Sequence, residues 1–366
     1  MNKIAIFCEN YGTINTTLSL IERYRQNTKV TIIILAYSNL NKLFQTFNEK
    51  TFDNTLDIVY LQPRSSLTAT TKGIIKAIYS LPELIAKRRH IRNIYEKKLA
   101  NMKGYDVHFA SRHNNGSLLY LLRRLQRNNR LVYINSFPPT RVQSKPYLPL
   151  KPKDFITLLT AKLAYAHDMV MVKFPFTDGY TYIPDKFIKN KVDRVISWGE
   201  REKMLADFDI SRYRIFDIGD YDVLYYSTAM GSDYIPDFDL LDKELTEIFK
   251  LLVKYFPAER IAVKHHPAHG HDKKAIKAGI ELDSSIPAEY LYSNNVKMYL
   301  GFWSTSIINV ENGLAVSLIN LITLKSEKLR QRFREYLLGM AKSEILFPKS
   351  LDEFEKILIQ LNEKKS

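Results

Sequence analysis

Residues 3–36 read KIAIFCENYGTINTTLSLIERYRQNTKVTIIILA. An apolar run, Lys3–Cys8, leads into a polar turn at Asn10-Tyr11-Gly12-Thr13. Helical periodicity follows to about Arg25, and the β-branched run Val30–Ala36 closes the unit. Apolar runs too short for a helix, separated by one helix-length segment, predict a strand–helix–strand unit. Further strands are expected at Asp57–Leu61, Asp106–Ala110 and Arg130–Ile134, with the helix-forming stretch 72–103 among them. Strands alternating with helices predict a parallel sheet covered on both faces.

The middle of the chain interrupts this rhythm. Between Phe137 and Lys153 stand Pro138, Pro139, Pro146, Pro149 and Pro152, which predict a surface loop. A helix is expected at Asp154–Ala166, a strand at Val192–Trp198 and a helix from Gly199-Glu200. A second series then begins. Strands are expected at Val223–Tyr226, Arg260–Lys264, Gly279–Leu282, Val296–Phe302 and Ala315–Leu321, with helices at Asp239–Tyr255, Pro287–Tyr292 and from Ser304 to about Asn312. The break near residue 215 predicts two facing Rossmann-like α/β domains, 1–215 and 216–366. Ligands of such folds bind beyond the carboxyl ends of the strands, so the cleft is expected between the domains.

Bulk properties narrow the function. Of 366 residues, 45% are hydrophobic and 25% charged, as in an ordinary globular protein. No apolar run approaches membrane-spanning length, and the N-terminus lacks a signal-peptide layout. The single cysteine, Cys8, excludes an internal disulfide framework and fits a reducing cytoplasm. The net charge of +15 implies an anionic partner. Lys72 to Lys103 holds nine Lys/Arg against two Glu, with apolar residues at largely helical spacing. This segment is either a solvated surface helix with a core-facing side or a contact with the inner membrane face. No nucleic-acid-binding motif accompanies the charge, so nucleic acid is not expected as a partner.

Three short motifs fall at or just after predicted strand ends: Lys264-His265-His266-Pro267, Pro287-Ala288-Glu289 and Ser304-Thr305-Ser306. In a doubly wound sheet such loops converge on one edge. Ser304 and Thr305 offer hydroxyls, and the start of a helix offers free N–H groups to an anion. His266 can donate a hydrogen bond, or a proton, to a phosphate oxygen. Glu289 offers two acceptor oxygens, suited to a ribose diol. Together they describe a pocket for a nucleotide phosphate.

This trio resembles the bacterial sialyltransferases, including the lipooligosaccharide and capsule polysialyltransferase families, which carry His-Pro, Pro-x-Glu and a Ser-Ser or Ser-Thr pair. The resemblance spans about residues 192–321 in layout and is sharp at the three motifs. It implies a GT-B fold, a CMP-activated sugar acid as donor, and no metal or other cofactor. It implies that His266, with Pro267, contacts and protonates the departing CMP phosphate, that Glu289 grips the ribose, and that Ser304 and Thr305 bind the phosphate. The acceptor would be a cell-surface glycan, lipid-linked or anionic. These families also carry an Asp/Glu-Asp/Glu-Gly motif that supplies the catalytic base. The nearest match is Thr177-Asp178-Gly179, one acid short, so Asp178 is the expected base, with Glu9 as another candidate.

A second resemblance competes. Val192–Glu200 and Tyr213–Gly219 look like the linker of teichoic-acid glycerophosphotransferases, which would imply a CDP-polyol donor. Those enzymes usually have an Asp before the serines, where Gly301-Phe302-Trp303 stands here, and a His-Gly in the N-terminal domain, which this chain lacks. Pro287-Ala288-Glu289 fits the sialyltransferase pattern better. The sequence has no Walker-type loop, no Gly-x-Gly-x-x-Gly and no Gly-x-Ser-x-Gly. His265, His266, His269 and His271 are clustered, but only Asp272 stands near them as a carboxylate, so no metal site is expected.

Overall fold

The computed structural model describes residues 3–35, 38–62, 74–110, 116–135, 174–176, 179–181, 192–228, 230–231, 233–265, 277–292, 295–310, 312–341 and 343–363. The chain divides into two compact units, Met1–Asp209 and Ile210–Ser366.

The first unit contains β1 (Lys3–Cys8), α1 (Ile14–Tyr24), β2 (Lys29–Leu35), α2 (Ser38–Thr51), β3 (Asp57–Leu61), α3 (Ile74–Lys98), β4 (Tyr105–Phe109), α4 (Gly116–Leu125) and β5 (Arg130–Ile134). It continues with β6 (Phe174–Phe176), β7 (Gly179–Thr181), β8 (Arg194–Ile196) and α5 (Trp198–Ala206). Its main sheet has the order β3-β2-β1-β4-β5-β8, and every pairing is parallel. β6 and β7 form a separate antiparallel pair. Apart from Lys3 and Lys29, every residue of β1 and β2 is buried, as strands covered on both faces require. α1 turns Ile14, Leu18 and Ile21 inward at i, i+4 and i+7. α5 begins at Ser197, whose hydroxyl accepts the Glu200 N–H at 3.2 Å. α5 packs on α1, with the buried Arg201 donating to Thr16 Oγ1 at 3.2 Å and Ser19 Oγ donating to the Met204 carbonyl at 3.1 Å.

The second unit contains β9 (Phe216–Asp217), β10 (Val223–Tyr226), α6 (Phe238–Tyr255), β11 (Ile261–Lys264), β12 (Ile280–Leu282), β13 (Leu291–Tyr292) and β14 (Met298–Gly301). β15 (Leu314–Ser317), α7 (Glu327–Met340), β16 (Ile345–Leu346) and α8 (Leu351–Glu363) complete it. Its sheet runs β12-β11-β10-β14-β15-β16, again wholly parallel. Counted within each sheet, both units have the order 3-2-1-4-5-6, the Rossmann order. Two such units in one chain give the two-domain α/β organisation of the GT-B class. α6 is capped by Asp237, whose side chain accepts from the Asp239 and Leu240 N–H groups. It buries Leu241, Leu245, Ile248, Phe249 and Leu252 against one sheet face.

The amino ends of β10 and β14, and the approach to β11, are held by charge pairs around the buried Asp222. Asp222, fully buried, accepts from Arg260 Nε at 3.0 Å and pairs with Lys297 Nζ at 3.0 Å. Its carbonyl also accepts the Lys297 and Met298 N–H groups. A buried carboxylate is costly without its cations, so these pairs fix geometry at the pole opposite the strands' carboxyl ends.

Several elements differ from the sequence expectation. The segment after Ser304 is a five-residue 3-10 turn, Thr305–Asn309, rather than an α-helix to Asn312. Its path is dictated by Ile307, Ile308 and Val310, which are buried. The apolar run 315–321 is a strand to Ser317 and then a 3-10 turn, Leu318–Leu321. Residues 287–292 form a 3-10 turn, Ala288–Tyr290, and then β13. The basic stretch is one helix, α3, that runs through Pro82. In its C-terminal half Ile91 is buried and Ile94 and Tyr95 pack on the core, whereas Ile85 is exposed. That half therefore carries a core-facing side. The expected helix at 154–166 lies outside the described residues. Among the described residues, no helix is long and apolar enough to cross a membrane.

Candidate functional site at the carboxyl edge of the second sheet

In a sheet of this order the crevice for ligands opens where the winding reverses, between the first and fourth strands. Here those are β10 and β14. β10 runs into Ser227-Thr228, and β14 into Phe302, Trp303 and Ser304. The chain must turn sharply after β14, and Gly301 permits it. A Cβ at Gly301 would lie 3.3 Å from Ile307 Cγ2, 3.4 Å from Ser304 Cβ and 3.5 Å from the Tyr226 carbonyl oxygen. The Ser304 turn is thus folded directly over the end of β14, against the end of β10.

Ser304 starts the 3-10 turn, and its Oγ accepts the Ser306 N–H at 3.3 Å. The hydroxyl acts as acceptor there, so its proton can be donated to an incoming oxyanion. Thr305 is the first residue of the turn. The turn Ala288–Tyr290, which carries Glu289, packs against the turn Thr305–Asn309. Two of the three sequence motifs are therefore neighbours. Glu289 reaches this place by a defined path. After β12, Asp283 Oδ1 accepts the Ser285 N–H at 2.8 Å, Pro287 starts the 3-10 turn, and β13 pairs in parallel with β9, Leu291 opposite Phe216.

The electrostatics of this edge are unusual. Glu289 is half-buried, and burial raises its carboxyl above the ordinary range, with its own backbone and Lys264 acting in the opposite sense. Lys264, the last residue of β11, is 3% exposed. Burial lowers its ammonium to about 8, opposed by the charges of Asp283 and Glu289. Tyr226, the last residue of β10, pairs in register with Lys264 and stacks on Tyr299 at 6.3 Å between ring centroids. Burial raises its phenol strongly, helped by Tyr299 and Glu289 and opposed by Arg214. Thr228 Oγ1, just beyond β10, is buried and has no hydrogen-bond partner among the described residues.

His266 and Pro267 lie outside the described residues, as do His269 and His271. His265 is described and 1% exposed, with Nε2 3.7 Å from Glu281 Oε1. Asp178 also lies outside the described residues; β6 and β7, which pair on either side of Thr177-Asp178, are described. Glu9 is buried just after β1. Lys264 and Tyr226 were not singled out from the sequence. Their signal was a lysine ending the apolar strand Ile261-Ala262-Val263, and a tyrosine at the matching position one strand over.

No protein-family model matches the chain, and no curated protein sequence matches it. Solved structures similar to it include Arabidopsis thaliana UGT89C1 complexed with UDP-L-rhamnose, at 10% identity over 100% of this chain and 90% of that one, TM-score 0.41. Another is the UDP-N-acetylglucosamine 2-epimerase of Rickettsia bellii, at 13% identity, 100% and 96% coverage and TM-score 0.39. A third is the S. aureus MnaA–UDP co-structure, at 12% identity, 99% and 88% coverage and TM-score 0.39. The fold itself rests on the two strand orders.

Proposed function

We propose that the chain is a metal-independent glycosyltransferase that moves a sugar acid, sialic acid, from a CMP-activated donor to a cell-surface glycan. The observation that carries this reading is the packing of the Glu289 turn against the Ser304–Thr305 turn at the carboxyl edge of a Rossmann sheet. The turn that carries Glu289 then lies beside the turn that Ser304 starts, as a ribose contact and a phosphate contact for one nucleotide would require. β11, the strand beside β10, leads straight into His266-Pro267.

In this mechanism Glu289 binds the ribose, and Ser304 and Thr305 bind the phosphate. Asp178 takes the proton of the acceptor hydroxyl, which attacks the anomeric carbon in line. The bond from that carbon to the phosphate oxygen breaks, and negative charge grows on the phosphate. His266 donates to that oxygen as the charge develops, where stabilisation counts most. Basic surface, including the 72–103 segment, would hold an anionic or lipid-linked acceptor at the inner membrane face.

The test is a thermal-shift series with CMP, CDP, UDP, GDP and ADP. A preference for CMP supports sialyl transfer. A preference for CDP moves the reading to polyol-phosphate transfer, and a preference for UDP or GDP overturns both.

A further inference from the structure

Lys264 is a lysine where the sheet offers no water. Its Nζ donates to the His265 carbonyl at 2.8 Å and to the Ser284 carbonyl at 3.2 Å. The first bond closes the end of β11 one residue before His266. The second crosses to the turn after β12, five residues before Glu289. An ammonium has three N–H donors, and two are committed to main-chain carbonyls. With 3% exposure it is poorly placed to touch a ligand itself. The negative groups that act on it are Asp283 and Glu289. The Tyr226 phenol on the neighbouring strand also feels Glu289 and, with opposite sign, Arg214.

We propose that Lys264 is a positioning residue of the nucleotide pocket: its buried ammonium ties the strand that leads to His266 to the turn that delivers Glu289, and supplies positive charge to the Glu289 carboxylate. The proposal deepens the nucleotide-binding reading and rests on it. Burying a cation is costly unless its hydrogen bonds and countercharges return the loss. A methionine would fill the same strand position at lower cost if filling were the only task. Loss of the proton above about pH 8 removes the charge, weakens both hydrogen bonds and takes away the positive charge that acts on Glu289.

The experiment compares the full-length protein with Lys264→Met and Lys264→Gln. Amide exchange over residues 283–292 reads the tie without any ligand, and calorimetric titration of CMP across pH 6.5–9.5 reads the pocket. The expected result is faster exchange confined to 283–292 in Lys264→Met. CMP binding should weaken about tenfold or more in both variants, the scale of a lost charged hydrogen bond. The wild type should lose affinity as the pH rises through about 8, and both variants should lack that limb. A purely packing role would leave the pH profile unchanged. Wild-type exchange rates over 283–292 in Lys264→Met overturn the tie, whatever CMP does. Equal CMP affinity and an equal alkaline limb in all three proteins overturn the charge role. A wild type that binds no CMP overturns the proposed function and with it the pocket role, while exchange still decides the tie.

Discussion

His265 and Glu281 meet at the edge between β11 and β12, with Nε2 3.7 Å from Oε1. Glu281 stands opposite Val263 in the ladder, and His265, two residues on, shares the Val263 face by strand alternation. His265 is therefore part of the sheet's packing, and the proposed phosphate contact is assigned to His266. His265→Ala should lower stability by about 1–3 kcal/mol, the range for opening a buried site. It should leave CMP affinity close to wild type. His266→Ala should leave stability unchanged and abolish transfer. Chemical denaturation paired with a transfer assay separates them, and equal loss of transfer by both folded variants would contradict the assignment.

Glu289→Gln removes one acceptor charge from the proposed ribose contact. A hydrogen bond to a charged group contributes about 1.5–3 kcal/mol, so CMP affinity should fall about tenfold or more. The pH dependence has a defined sign. Burial raises the Glu289 carboxyl, so its charged form is lost earlier than usual as the pH falls. Wild-type affinity should decline on the acid side, and the variant should not follow. Calorimetric titration decides. Unchanged affinity in Glu289→Gln would return this residue to a structural role.

The strands were legible because they are buried on both faces. Lys3–Cys8, Val223–Tyr226 and Arg260–Lys264 read as short apolar runs between turn signals, the pattern of strands covered on both faces. The short elements at the site were harder. Ser304-Thr305-Ser306 has the sequence of an α-helix cap, yet the chain makes a 3-10 turn there because Ile307, Ile308 and Val310 must all reach the core within six residues. Residues 315–321 are uniformly apolar save Ser317 and Asn320, so periodicity could not mark the strand's end at Ser317. The buried role of Lys264 was hidden for another reason. Its partners are main-chain carbonyls, which leave no trace in side-chain pattern.

For the catalytic base, Asp178→Asn should slow the chemical step about 100-fold or more, the scale of general base catalysis. CMP affinity should stay near wild type, because the proposed donor contacts come from the second unit. Asparagine suits a turn before Gly179 as well as aspartate does, so a residue needed only for the turn would tolerate it. Single-turnover kinetics reads the step directly. A fully active Asp178→Asn beside an inactive Glu9→Gln would move the base to the first loop.

The last prediction concerns His108 in the middle of the first sheet. It is 1% exposed, and neither ring nitrogen has a hydrogen-bond partner among the described residues. The ring packs on Tyr24 at 5.4 Å between centroids. Burial lowers it from 6.5 to about 4, and the charges of Arg194 and Arg23 act in the same direction. The folded state thus holds the neutral ring, and the unfolded state takes up its proton first as the pH falls. Stability from this group is complete above pH 6.5 and is lost as the pH falls towards 4. The shift corresponds to a loss of roughly 3 kcal/mol by the lower pH, at 1.36 kcal/mol per unit. Leucine has no proton to take up, and replacing an unpaired buried polar group by an apolar one of similar size costs little. His108→Leu should therefore match or exceed wild-type stability near neutrality and pull ahead of it steadily below pH 6.5. Urea unfolding at a series of pH values measures the difference. Wild-type and variant curves that stay parallel from pH 7 to pH 4 would mean that His108 does not titrate differently on unfolding, and the acid sensitivity would have to come from elsewhere.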